Sequence, residues 1–166
     1  VNLLRRDFSR LIHIHNLSVG ACTSAIALYR FLSFGGRPIG VPVIWEYGVN
    51  EYNHLQGGQS LDSLILHVEW LIHLCIRENR PFLPVLMYNR SQLGPKSDAY
   101  ATAVRDLFAR YGLEVLDCTR LLRIVARGAP ELGRWYGDGA HYDTGSVFPE
   151  RLAEHVLAAL DRARVP

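Results

Sequence analysis

Lysine is almost missing from this chain. Lys96 is the only one, and the other basic residues are arginines that form no dense run. The 18 basic and 16 acidic side chains leave a formal net charge of +2. That balance is too mild to mark a nucleic-acid partner. Long apolar runs are missing too. The greasiest stretch, Leu61 to Ile76, is broken by Asp62, His67, Glu69 and His73, so no membrane span is expected. No charged and apolar leader of the signal-peptide type stands at the N-terminus. Cysteine is scarce. Cys22, Cys75 and Cys118 lie far apart, with neither the spacing of a metal site nor the even count of a disulfide framework. These absences point to a reducing, cytoplasmic compartment. No internal repeat, low-complexity tract or linker divides the chain.

What remains is an ordinary globular composition, 49% hydrophobic and 20% charged over 166 residues. It predicts one domain, 1–166, with one sizeable core. The chain opens on Val1 rather than Met and enters a helical pattern at once, NLLRRDFSR. That start points to an N-terminally truncated copy of a longer protein.

The periodicity then alternates. Residues 11–17 (LIHIHNL) and 41–47 (VPVIWEY) read as strands, as do 82–88 and 113–117. Helices are expected at 24–33, 61–79, 97–111 and 119–127, with a last one begun by Pro149 in its first turn. Leu61, Leu64, Ile65, Val68, Ile72 and Cys75 share one face of the second helix. Gly35-Gly36 and Gly112 serve as helix stops. Strands alternating with helices predict a parallel sheet flanked by helices, a three-layer α/β sandwich. In such sheets, ligands bind beyond the carboxyl ends of the strands.

Three loops reach that edge. The first, N-L-S-V-G-A-C-T-S from Asn16 to Ser24, is a small-residue turn that can aim a backbone N–H at a ligand. The second, W-E-Y-G-V-N-E from Trp45 to Glu51, presents the Asn50 amide after a glycine turn. Such an amide can donate to an oxyanion. The third, Y-G-D-G-A-H-Y-D from Tyr136 to Asp143, sets Asp138 three residues before His141. There a carboxylate can orient an imidazole as a general base. Each motif alone is as well explained by an ordinary turn.

In order and in an α/β context, the three loops resemble the SGNH branch of the GDSL-type lipases and esterases. The resemblance spans nearly the whole chain. N-L-S-V-G-A-C-T-S is similar to that family's second block, with Gly20 as backbone oxyanion donor, or Ala21 if the register slips by one. E-Y-G-V-N-E is similar to the third, G-x-N-D, with Glu51 where the family has Asp and Asn50 as the side-chain donor. D-G-A-H is similar to the last, D-x-x-H, with Asp138 and His141 as acid and base. The resemblance implies a flavodoxin-like sheet, serine-dependent hydrolysis of a small-molecule or carbohydrate ester, and neither metal nor cofactor. The family's first block, a G-D-S after the first strand, is absent. The first strand and the nucleophilic serine are therefore expected upstream of Val1.

Three alternatives stay open. Ser18 would be the nucleophile if N-L-S were a degenerate G-D-S, but the glycine donor must then come from Gly35, Gly36 or Gly40. A relative that kept the cleft and lost the serine would be a non-catalytic binding or structural module. A flavodoxin-like nucleotide binder would use SVGACTS as its phosphate loop, without the lysine and spacing of a P-loop. Among the histidines, His13 and His15 share a strand face without a further ligand at metal spacing. His67 and His73 fall at the boundary of the long helix. His54, Tyr52, Tyr88 and Trp135 are candidate cleft residues.

Overall fold

The computed structural model describes residues 14–17, 23–35, 38–46, 60–87, 98–118 and 148–166. Among them are four helices, α1 (Ser24–Ser33), α2 (Leu61–Arg77), α3 (Asp98–Arg110) and α4 (Phe148–Leu160). Three strands, β1 (Val43–Trp45), β2 (Phe82–Leu86) and β3 (Leu116–Asp117), form a parallel sheet in the order β1-β2-β3.

The helices form where the apolar spacing predicted them. Ser60 starts α2, its side chain accepting from the Ser63 N–H at 3.1 Å. Asp62 in the first turn and Arg77 in the last complement the helix dipole. Leu64, Val68, Leu71, Ile72 and Cys75 make its buried stripe. Gly112, at φ +66°, turns the chain beyond α3 in a conformation that suits glycine.

The sheet is covered on both faces, unequally. Leu28 and Phe31 of α1, the α2 stripe, and Ala101, Val104, Leu107 and Phe108 of α3 bury Trp45, Phe82 and Leu86 in one cluster. Trp45 meets Phe108 edge-on at 5.4 Å, and Phe82 lies 5.9 Å from the same ring. The opposite face holds Leu83, Val85 and Cys118 under Val156 and Ala159 of α4. This division follows from topology. Parallel strands laid down in one direction send each right-handed crossover over the same face, so α2 and α3 are neighbours. A helix following β3 is free to return over the other face.

Buried Arg80 ties down the amino edge of the sheet. Its Nε donates to Glu78 Oε2 at 2.6 Å and its Nη1 to the Val41 carbonyl at 3.3 Å, with the guanidinium 5.7 Å from the Phe31 ring. Beside it, β2 and β3 part company. Phe82 donates its N–H to the Arg164 carbonyl at 3.0 Å, toward the β3 side. Two residues on, Pro84 points the same way and has no N–H to give. The ladder to β3 accordingly begins only at Val85 and Leu116. Below it a cleft of about 260 Å³ opens among Leu83, Leu113, Leu116 and Ala163.

Two expectations are corrected. The strand expected at 11–17 is not seen where it is described: residues 14–17 carry no strand, and Leu17 packs on the larger core while His15 rests on Phe34 at 5.0 Å between ring centroids. The strand expected at 113–117 keeps only Leu116–Asp117, because the ladder has no donor at Pro84. The helices expected at 2–10 and 119–127 lie outside the described residues.

Candidate functional site at the carboxyl edge of the sheet

All three strands run toward one edge. Trp45 closes β1, Leu86 closes β2, and Asp117 closes β3 in register with Leu86. Both α1 and α2 start on the same side, since each runs back to the amino edge before the next strand. The edge is therefore where a parallel α/β sheet gathers its chemistry.

Two ionisable groups face the α4 side there. Trp45 belongs to the larger core, so by alternation its neighbour Glu46 points to the opposite face. Burial pushes the Glu46 carboxyl from its ordinary 4.5 up to about 7. Cys118, wholly buried in the α4 cluster, has its thiol pushed up by burial, with Glu46 and Asp117 adding repulsion. The thiol is thus neutral and a poor nucleophile. Glu46 is a different matter. A carboxyl poised near neutrality at a sheet edge can hold or give up a proton at working pH. The α4 side chains on this face, Leu152, Val156, Ala159 and Leu160, bring no charge to it.

Asp117 faces the other way and pairs with Arg105 of α3. Ser24, the first residue of α1, meets His67 Nδ1 of α2 at 3.5 Å. Ser24 is 2% exposed, so this serine–histidine contact binds two helices together rather than presenting a nucleophile.

Gly20, Asn50, Asp138 and His141 all lie outside the described residues, as do Ser18, His54, Tyr52, Tyr88 and Trp135. The described chain fixes their approaches in sequence: Glu46 is four residues before Asn50, and Phe148 opens α4 seven residues after His141. Glu46 and Cys118 were missed as candidates. The signal available was a glutamate within the otherwise apolar run V-P-V-I-W-E-Y, where a carboxyl has little water.

No group of three metal-ligating side chains occurs among the described residues, and none of their helices is long and apolar enough to cross a membrane. Comparison with known proteins returns no matching family model, no matching curated protein and no matching solved structure.

Proposed function

We propose that the chain is the greater part of an SGNH-type ester hydrolase acting on acyl or acetyl esters, including those of carbohydrates. The observation that carries this reading is the order of its three blocks, Gly20, Asn50 and Asp138-x-x-His141, along an α/β chain with a parallel sheet. In the proposed mechanism His141 takes the proton of a serine supplied upstream of Val1, and Asp138 holds the imidazole in its working tautomer. The Gly20 N–H and the Asn50 amide stabilise the tetrahedral oxyanion. The parallel sheet supports this reading, and in the sequence Asn50 comes five residues after Trp45, the last residue of β1. The last helix returns over the face opposite α2 and α3, as a flavodoxin-like sheet requires.

The test uses the chain extended through its upstream reading frame. A G-D-S after an apolar strand should appear there, and the protein should turn over p-nitrophenyl acetate and be labelled by a fluorophosphonate. His141→Ala should then lower kcat by about a thousandfold or more. An extended protein with neither turnover nor labelling overturns the hydrolase reading. The absence of G-D-S within the 166 residues favours a second reading, a non-catalytic module that keeps the cleft. Saccharide-ester binding without turnover by the extended chain would select it.

A further inference from the structure

The outer surface of the helix layer carries more exposed apolar area than the rest of the described molecule. Ile26, Tyr29 and Leu32 project from α1, and Leu66 and Trp70 from the neighbouring α2, each between 44% and 69% exposed. The two helices pack their inner stripes on one core and touch along their length, so the outer stripes share one face. Together these five side chains offer roughly 500 Å² of apolar surface, the size of the largest patch on a typical monomer and often a functional one. A stable interface buries about 800 Å² per partner, rather more than half of it apolar. The patch therefore matches the apolar share of one full protein–protein interface.

The α2 stripe also says what fits on it. Its exposed positions are Asp62, Leu66, Trp70, His73, Ile76 and Arg77. Two pairs of them, Asp62 with Arg77 and Leu66 with His73, are centred on a point between Glu69 and Trp70. Laid antiparallel on its own copy, α2 sets Asp62 against the partner's Arg77 and Leu66 against the partner's His73. Trp70 packs near the axis beside the partner's Trp70. The acidic and basic ends meet twice, and the two helix dipoles run in opposite directions. We propose that the outer face of α1 and α2 is a two-fold interface with a second copy of this chain, centred on Trp70. A surface that is self-complementary in both charge and apolar pattern selects its own copy over an unrelated partner.

Light scattering on the intact chain tests this between about 1 and 100 µM protein. The expected mass is twice the 18.8 kDa of one protomer. Trp70→Glu and, separately, Leu66→Glu should give protomers with unchanged circular dichroism, since both side chains are exposed. Asp62→Arg and Arg77→Asp should each weaken association by about tenfold, and the double variant should recover it, because the pair is then reversed rather than broken. A protomer mass at every concentration overturns the proposal. So does a dimer indifferent to Trp70→Glu, or a double variant no tighter than the single ones.

Discussion

The two faces of the sheet differ in how they are held. One lies beneath three helices and is filled by interlocking aromatic rings, Trp45 and Phe82 about Phe108. Among the described residues the other is covered by α4, through Val156, Ala159 and a few part-buried aliphatics, and Ile44 of β1 is 41% exposed. The first face is built for cohesion. The second is thinner, and it is the one that holds the ionisable pair Glu46 and Cys118. Burial raises the proton affinity of both groups.

The sharpest way to break this contrast is to hollow out each side in turn. Phe108→Ala should cost about 3–5 kcal/mol, because the ring is fully buried and two aromatic neighbours lose their contact. Val156→Ala on the α4 side should cost about 1–2 kcal/mol. Urea unfolding reads both. Equal losses would show that the two faces share the load.

Next in size is the effect of pH through Glu46. Its folded carboxyl holds a proton up to about pH 7, whereas the unfolded one releases it near 4.5. The folded state is therefore favoured least above pH 7. The stability at stake is present below 4.5 and lost as pH rises to 7, at most about 3 kcal/mol in all. Glu46→Gln should be more stable than the parent at pH 8, with the advantage fading by pH 4. Parallel pH profiles for the two proteins would show that Glu46 sits in water after all. The smallest effect belongs to Arg105→Ala, which removes the ion pair with Asp117. Arg105 is 44% exposed on its side chain, so the loss should be below about 1 kcal/mol and shrink in salt. A larger loss would mean that the helix-covered face depends on its polar rim.

The helices were legible because their spacing repeats over many residues. Leu64, Val68, Ile72 and Cys75 could face one way only in a helix, and they do. Leu71 was missed from that stripe because it lies at its margin. The strands were less legible, since a short run carries little periodicity. Ile12-His13-Ile14-His15 alternates like a strand, yet the described residues 14–17 carry no strand and His15, still exposed, contacts the Phe34 ring. Nothing in L-E-V-L-D announced that its first half would lose its ladder, because the missing donor belongs to another segment, at Pro84. The proposed site was legible as motifs only. Gly20, Asn50, Asp138 and His141 fall in sequence stretches without local periodicity, so the sequence alone does not set their arrangement. Glu46 was hidden for the opposite reason: its environment, not its sequence neighbours, sets its proton affinity.

The bond from Phe82 to the Arg164 carbonyl also sets an order of events during synthesis. Arg164 leaves the ribosome about 80 residues after Phe82, at several residues per second. Until then the lower half of the central strand has one bare side, while β1 and the helices above it can already assemble. Nascent chains stalled before Arg164 should expose that strand to chaperones or to neighbouring chains, and release should close it. Among the described segments, the one after α4 is thus the last to close on the central strand.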